Sequence, residues 1–571
     1  MPVTYTVNRN IVGNSILGSN VAAPQGSTVT FAIADNQSNI FIGGTFINGQ
    51  GSSSTCFLPT ATATGPAAGS TGNTISVTTP NAVNGSSGFV AKYSSTGALY
   101  WSIAMGSASS NVTVNSGSLD PTNYSNIYIG ITYSGNSSPA LTLNNGNTTG
   151  GSSSSGVTLP QVSATNASIT AGAIIKIATN GIVQWASSLD NTVANETGIA
   201  VVVDSVGSPY MTTTYSNTSS FAILNGATGA PPSGISVTLP AATLINAMAL
   251  VKYSSAGIAQ WATSLVPNTA GETIISGTSI AADTLSNIYI TGSYTNATSG
   301  VIPVFLNSSS AGGNTVAFNL PNTGNGITNG FLLKYSNAGT LQWGTIVNNT
   351  AAGSSSFINS VTTSGYNTVY VCGNVLSSTT TTIFNGNGVS VPSSGTITLP
   401  ITPSTGTVTS AFAAKFYGSN GTCQWDTYVP TSGLSTFNSC VVDSSDANLY
   451  VTGRYTASGT TNIVNYNGTT TSTIPAASTG AGCLFRYFIG NTIACTTQPF
   501  SAAISSITGF NLVSIDPTIT NVYVGGTYYN TTGTSAIYNS NSTGGQGGTT
   551  GVILPATFAS SNAFGFFAKF G

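Results

Sequence analysis

Apolar and polar positions alternate in a pattern that recurs along the whole chain. At 331–343 an apolar run containing one lysine is followed by a Ser/Asn/Gly turn and a second short run that ends in Gln-Trp. Related segments begin at Phe89, Ala173, Leu250, Phe412 and Leu484, and a shortened copy ends the chain at 566–570. Short β-branched and aromatic runs bounded by turn residues predict strands. We therefore predict that each copy is a pair of strands joined by a turn.

A second element lies upstream of each lysine run. It consists of an apolar strand ending at Asp, a polar turn, and a strand that opens with Asn or a related residue, as in Ala282-Asp283…Asn287-Ile-Tyr-Ile-Thr-Gly292. Asp and Asn suit this turn because their side chains bond nearby backbone and tolerate left-handed geometry. The turn carboxylates are Asp35, Asp120, Asp204, Asp283, Asp443 and Asp516. Each repeat thus contains four predicted strands.

The two elements are separated by a looser stretch with an Asn-Gly turn and a Leu-Pro ending, for example Asn225-Gly226…Leu239-Pro240. Proline lacks the donor that a strand ladder needs, so it ends a strand or lies on an edge. We interpret each stretch as an inserted hairpin or an extended loop. The insertion explains why these repeats are longer than the ~40–50 residues of common propeller blades.

Seven four-stranded repeats in tandem predict an all-β fold, a single seven-bladed β-propeller spanning residues 1–571. A stacked solenoid is the alternative. The expected repeats span about 24–104, 105–189, 190–265, 266–347, 348–429, 430–500 and 501–571. The last one ends before any tryptophan strand, whereas the chain opens with the strand-like segment Pro2–Val7, with Tyr5 where the tryptophan would fall. We therefore expect residues 2–8 to join the last blade and close the ring.

Two residue types recur once per repeat. The basic series is Lys92, Lys176, Lys252, Lys334, Lys415, Arg486 and Lys569, which is seven of the nine basic residues. All five tryptophans form the second series, Trp101, Trp185, Trp261, Trp343 and Trp425. A lysine among apolar neighbours needs a partner for its charge, so we expect one structural ion pair per blade, such as Lys334 with Asp283. A ring of cations that binds an anion is the alternative. For the aromatic series we expect packing between blades, with a sugar-binding face as the alternative.

Composition narrows the function classes. Only 4% of the residues are charged and the formal net charge is −2, which gives no basic field for nucleic acid or acidic membranes. No apolar run is long enough to span a membrane, and the N-terminal residues lack the pattern of a secretory signal. Asn-X-Ser/Thr sequons are frequent, and they permit glycosylation without arguing for it.

The two recurrent elements resemble the β-propeller repeat of the SBBP type. The resemblance is closest at 88–101, Gly-Phe-Val-Ala-Lys-Tyr-Ser-Ser-Thr-Gly-Ala-Leu-Tyr-Trp, and at 442–453, Val-Asp-Ser-Ser-Asp-Ala-Asn-Leu-Tyr-Val-Thr-Gly. The chain departs from that pattern in its long insertions, at Thr363-Ser364 where Asp is expected, and at Ala494-Cys495 where a sixth Trp is expected. Such repeats occur in bacterial surface proteins and in some proteins of large viruses. The resemblance implies a scaffold and no reaction.

Candidate chemistry outside the repeat is sparse. Glu196 and Glu272 occupy matching places in neighbouring repeats and form the one carboxylate pair that suits a glycosidase, although as loop residues we expect them to be solvated. Without histidine, Ser-His and Cys-His nucleophile systems cannot form. The six cysteines have no CxxC spacing, so we expect no metal site, and either disulfides or buried thiols fit them. We expect no enzyme and no cofactor.

The sequence favours a non-enzymatic structural protein that is displayed outside a cell or on a virion and self-assembles into a fibre or surface layer. A neutral surface rich in Ser, Thr, Asn and Gly removes a usual brake on association. A carbohydrate-binding adhesin-like module is the first alternative, with loop aromatics such as Tyr528 and Tyr529 as contacts. A glycoside hydrolase is the second. The expected partners are further copies of the chain or surface glycans.

Overall fold

The fold described here is a computed structural model of the 571-residue chain. It describes residues 11–17, 26–47, 53–58, 73–78, 85–107, 110–136, 138–146, 153–163, 166, 168–190, 195–217, 219–226, 235–267, 273–296, 304–306, 316–321, 323–365, 367–376, 380–386, 395–399, 409–464, 470–474, 476–488, 507–518, 521–528, 535–538, 550–554 and 564–570. Within these ranges the chain forms strands and no helix, and nearly all strand pairs are antiparallel. The fold is all-β.

Strands are numbered in chain order, and each repeat contributes a first, second and third strand to one sheet. The first strands are β2 (Ser27–Ala34), β8 (Val112–Leu119), β14 (Glu196–Val203), β20 (Thr273–Ala282), β26 (Ser355–Thr363), β32 (Ser435–Val442) and β37 (Ile507–Ile515). The second strands are β3 (Ile40–Ile47), β9 (Asn126–Ser134), β15 (Pro209–Asn217), β21 (Ile288–Thr295), β27 (Thr368–Leu376), β33 (Asn448–Ala457) and β38 (Val522–Tyr528). The third strands are β6 (Ser86–Tyr93), β12 (Thr170–Ala178), β18 (Ala242–Tyr253), β24 (Thr328–Tyr335), β30 (Ser410–Tyr417), β36 (Ala477–Phe488) and β41 (Phe564–Phe570).

Fourth strands and inserted hairpins complete the set. The fourth strands are β7 (Leu99–Met105), β13 (Val183–Asp190), β19 (Ala259–Val266), β25 (Leu341–Asn348) and β31 (Cys423–Val429) in the first five repeats, and β1 (Ile11–Leu17) beside β41. The hairpins are β4 (Ser53–Leu58) with β5 (Asn73–Thr78), β10 (Leu141–Asn145) with β11 (Ser153–Leu159), β16 (Phe221–Leu224) with β17 (Ile235–Leu239), β22 (Val304–Leu306) with β23 (Val316–Asn319), β28 (Thr381–Phe384) with β29 (Gly395–Leu399), β34 (Thr461–Val464) with β35 (Thr470–Ile474), and β39 (Ser535–Tyr538) with β40 (Thr550–Leu554). The fourth-strand position of the sixth repeat lies outside the described residues.

Every first strand carries a β-bulge, an extra residue that interrupts the ladder with the second strand. The bulges lie at Thr30, Asn115, Gly198–Ile199, Thr278, Asn359, Asn438 and Asn511. The glycine in the Tyr-Val-Thr-Gly pattern faces the bulge, since a Cβ at Gly373 or Gly453 would overlap a carbonyl oxygen of the facing strand. The glycine of the repeat therefore exists to accommodate the bulge.

The sheets follow one another in space in the order of the sequence. Each first strand contacts the first strand of the next repeat, and β37 of the seventh repeat contacts β2 of the first. Apolar clusters fill the space between adjacent sheets, and one of them joins Leu512, Tyr523 and Phe567 of the seventh repeat to Ile40 and Phe89 of the first. Residues on the two faces of each sheet are therefore buried by the neighbouring repeats.

A strand from the N-terminus completes the last sheet, but it is not the segment that the sequence suggested. β1 pairs antiparallel with β41, and Gly13 faces Lys569 where other repeats place tryptophan. Residues 2–8, including Tyr5, lie outside the described residues, so the fourth-strand position beside β41 belongs to 11–17. The prediction relied on Tyr5 as the equivalent of tryptophan, whereas the partner of Lys569 in this sheet is a glycine.

The inserted hairpins cover the outer edge of the preceding sheet. β16 of the third repeat pairs with β13 of the second, and β22, β28 and β34 pair in the same way with β19, β25 and β31. β10 also contacts β7, and β4 contacts β1. An unpaired outer edge is a template for association with other strands, and these hairpins occupy it. The insertions are thus hairpins that connect neighbouring repeats.

Candidate functional site

The turn carboxylates hold the hairpin between the first and second strands. Asp283 Oδ1 accepts hydrogen bonds from the backbone N–H groups of Leu285 and Asn287, and its Oδ2 accepts from Asn287 Nδ2 and Tyr289 Oη. Side-chain bonds within the turn are repeated at Asp35, Asp120, Asp204, Asp443 and Asp516. Each carboxylate is buried and replaces bonds to water with bonds to its own turn.

The recurrent lysines reach the next repeat. Lys334 Nζ donates to the carbonyl oxygen of Gly418 at 2.8 Å and lies 5.4 Å from the centre of the Tyr289 ring. Burial lowers the pKa of Lys334, and the nearby charge of Asp283 opposes that effect. The same lysine-to-carbonyl bond joins Lys92 to Thr179, Lys176 to Ser255, Lys252 to Asn337, and Lys569 to Ser95. These cations are engaged in contacts between repeats.

The tryptophans share the same acceptor. Trp343 Nε1 donates to the Gly418 carbonyl at 3.0 Å, and its ring lies against Gly421 of the same turn. Trp101, Trp185 and Trp261 donate to Thr179, Ser255 and Asn337 in the same way. The lysine and the tryptophan of one repeat therefore both donate hydrogen bonds to the turn between the third and fourth strands of the next repeat. We call this arrangement the Lys–Trp clamp.

The ion pairs differ from the sequence expectation of one per repeat. Ion pairs join Lys92 to Asp35 at 3.7 Å and Lys415 to Asp446 at 3.3 Å. Lys334 bonds to a carbonyl and forms no ion pair with Asp283 within the described structure. The turn satisfies Asp283 by itself, so its charge acts on Lys334 at longer range.

Asp446 replaces the carboxylate that the fifth repeat lacks. It lies in a turn of the sixth repeat with a positive φ of 55°, and its carboxylate accepts bonds from Ser364 Oγ, Tyr370 Oη and Lys415 Nζ of the fifth. Ser38 occupies the matching turn position in the first repeat, and its hydroxyl donates to Asp516 of the seventh. This turn position therefore reaches the preceding repeat, and in the sixth repeat it carries the missing charge.

A cavity of about 450 Å³ lies between the first strands of the second to sixth repeats. We call it the first-strand cavity. Its lining residues are Asn115, Ser116, Gly198, Ile199, Ala200, Gly277, Asn359 and Asn438. Most of these residues lie at or beside the bulges, so the bulges bring amide side chains and backbone to the cavity. All of the lining side chains are uncharged.

A comparison with protein families gives one match, to the SBBP beta-propeller repeat over residues 260–298. This segment contains Trp261, Asp283 and the Asn287–Gly292 strand. The chain carries the SBBP beta-propeller repeat. No curated protein matches the chain. Among solved structures, a Salmonella alpha-2-macroglobulin mutant has 7% identity and a TM-score of 0.08 over 97% of this chain, which spans 50% of that one. A TM-score this low does not indicate a shared fold.

The residues that the sequence suggested for hydrolysis or for sugar contact differ in their burial. Glu196 is fully buried and its Oε2 accepts a bond from the Gly172 N–H, so the expectation of a solvated loop residue was wrong. Glu196 is the first residue of β14, and its side chain is buried between neighbouring sheets. Glu272 and Tyr529 lie outside the described residues. Tyr528 is 1% exposed and packs against Phe566, so it is core and not a contact residue.

The structure describes the side chains of four cysteines. Cys372, Cys423, Cys440 and Cys483 are buried free thiols. Burial raises the pKa of the Cys372 and Cys423 thiols, which keeps them protonated. Over the described ranges, no cluster of His, Cys, Asp or Glu is arranged to hold a metal ion, and no helix is suited to crossing a membrane.

Sequence reasoning missed the bulge residues. Asn115, Asn359 and Asn438 precede the turn carboxylate position by five residues in their repeats, so a signal existed in the spacing. Alternation along a strand predicts that a polar residue faces solvent, which hides the role of these residues. The bulge shifts the register of the strand at this residue, so the prediction from alternation does not hold there.

Proposed function

We propose that this chain is a non-enzymatic scaffold: a single seven-bladed β-propeller that is closed by its N-terminal strand and displayed on the surface of a cell or particle. The observation that supports a scaffold role is that the recurrent residues are used in contacts within and between repeats. Lysines, tryptophans and turn carboxylates of the repeat hold turns and neighbouring repeats together. Residues used in this way stabilise a frame, and the frame presents its loops and hairpins.

Closure of the ring is supported by contacts between the seventh and first repeats. Lys569 Nζ donates to the Ser95 carbonyl at 3.1 Å, which is the same Lys-to-turn bond as in internal repeats. Gly565 N–H donates to Ser27 Oγ at 3.0 Å, and the Tyr93 and Phe567 rings lie 5.4 Å apart. The junction between the chain ends thus uses the chemistry of the other junctions.

Electron microscopy of the purified chain tests this architecture directly. We expect class averages with a closed ring of seven sheets in the wild-type protein. Removal of residues 1–17 takes away β1 and exposes the edge of β41, so we expect that variant to aggregate or to melt at a lower temperature. An open arc or a stacked array in the wild-type images would refute the propeller.

Surface display and self-assembly are proposed from the low charge of the chain, in which 4% of the residues are charged. Size-exclusion chromatography with light scattering over a range of concentrations measures assembly, and we expect the apparent mass to rise with concentration. A monomer at the highest concentration would remove assembly from the proposal. Labelling of intact cells or virions with an antibody tests the location independently.

Carbohydrate binding is a second candidate function, and the first-strand cavity is the observation in its favour. A glycoside hydrolase acting through Glu196 and Glu272 is not proposed. A glycosidase needs two carboxylates that flank the scissile bond in a cleft, and Glu196 is fully buried. It is also absent from the lining of the first-strand cavity.

A further inference from the structure

We propose that the first-strand cavity binds a small uncharged polyhydroxylated molecule, a mono- or disaccharide. The proposal deepens the second candidate function, because it places the sugar inside the stack of first strands and not on loop aromatics. The cavity of about 450 Å³ lies in the ~300–1,000 Å³ range of small-molecule sites. It draws its lining from five repeats, so it exists only when the repeats are assembled.

The orientation of two amides determines what the cavity offers. Asn359 Nδ2 donates to the Phe437 carbonyl at 2.7 Å, and Asn438 Nδ2 donates to the Phe510 carbonyl at 3.0 Å. A backbone carbonyl accepts only, so the NH₂ group of each amide must face it. The amide oxygens are left: Asn359 Oδ1 accepts no bond from the described residues, and Asn438 Oδ1 accepts a long one of 3.4 Å from Thr436.

Ser116 is fully engaged within the protein, whereas Asn115 is engaged at its amide nitrogen. Ser116 Oγ donates to the Ile199 carbonyl and accepts from the Val201 N–H, both at 3.0 Å. Asn115 Nδ2 donates to Thr132 Oγ1 at 2.7 Å, which leaves its Oδ1 as an acceptor. The amide oxygens of Asn115 and Asn359 are therefore acceptors for a ligand, and hydroxyl groups are neutral donors that match them.

The absence of charged residues from the cavity lining disfavours ionic ligands. None of the lining residues is acidic or basic, so an ion entering the cavity would lose hydration without gaining a counter-charge. Ile199 and Ala200 supply an apolar part of the wall for the C–H faces of a sugar ring. No aromatic ring lines the cavity, so the expected affinity is weak.

Saturation-transfer NMR on the full chain tests the proposal with glucose, galactose, N-acetylglucosamine and maltose as probes. We expect at least one of them to receive saturation from the wild-type protein. Asn115→Leu replaces the Asn115 amide by an apolar side chain of similar shape and keeps the Asn359 and Asn438 bonds to their neighbours, so it should weaken binding about tenfold or more, which corresponds to about 1.4 kcal/mol. Asn359→Ala removes an acceptor and should have a similar effect.

Asn123→Ala, at an exposed turn, is the matched control and should bind as the wild type does. Thermal unfolding of each variant shows that it is folded. Saturation that persists in folded Asn115→Leu would place sugar binding elsewhere, which overturns the cavity while the second candidate function stands. No transfer to any probe would overturn both the cavity and the second candidate function.

Discussion

The buried carboxyl of Asp426 should make the protein less stable as the pH rises from weakly acidic to weakly basic. Asp426 follows Trp425 in β31, and its residue is 2% exposed. Burial raises its pKa from the ordinary value of 3.8 to about 7. The charge of Asp426 acts on Cys423 and Tyr428, neither of which is a cation that would compensate it. The carboxyl is therefore favoured in its protonated form in the folded state.

The sign of the effect follows from proton binding in the two states. Below the unfolded pKa of 3.8 the group is protonated in both states and has no effect on pH dependence. Between 3.8 and about 7 the folded state holds the proton more tightly, so stability falls with rising pH. Above about 7 the folded state contains a buried carboxylate, at a cost of about 4 kcal/mol at 1.36 kcal/mol per pKa unit.

Asp426→Asn isolates this contribution, because an amide has nearly the shape of the protonated carboxyl and does not titrate. Chemical unfolding of both proteins from acidic to basic pH should show equal stability near pH ~4 and an advantage of a few kcal/mol for the variant near pH ~8. Asp426→Ala is the matched second variant, since Ala186 and Ala262 occupy this position in the second and third repeats. A constant difference between wild type and Asn variant at all pH values would refute the reasoning.

Two further predictions concern the contacts between repeats. Trp343→Phe removes the bond to the Gly418 carbonyl and should cost about 1 kcal/mol, whereas Trp343→Ala should cost about 3–5 kcal/mol, as measured by chemical unfolding; an unchanged stability in Trp343→Phe would show that the indole N–H is irrelevant. Asp446→Asn should lower stability by about 1 kcal/mol through Lys415, and Ser364→Asp in the same chain should restore it. Loss of stability that adds in the double variant would contradict the replacement of the missing carboxylate by Asp446.

Local patterning revealed the strands of this protein and much of their order. Apolar alternation marks the strands, Asp and Asn mark the first turn, and the Leu-Pro endings mark the inserted stretches. These features are readable because they depend on residues close in sequence. The propeller repeat over residues 260–298 has the same elements.

Contacts to backbone and between distant segments were not readable. The acceptor of Lys334 is the carbonyl of Gly418, and a carbonyl leaves no mark in the sequence. Both 2–8 and 11–17 have the composition of strands, so only the pairing with β41 distinguishes them. The role of Asp446 depends on a serine in another repeat, which local patterning around Asp446 does not indicate.

Because the hairpins of the third to sixth repeats pair with the preceding sheet, the unit of sequence and the unit of folding are out of phase at these junctions. A chain cut at a repeat boundary leaves one sheet without its outer strands and one hairpin without a surface. Loss or gain of a single repeat during evolution must therefore preserve both junctions, and partial unfolding at one repeat exposes a strand edge on its neighbour. At these junctions a repeat depends on the next one for the strands at its outer edge, so local unfolding of one repeat destabilises its neighbour.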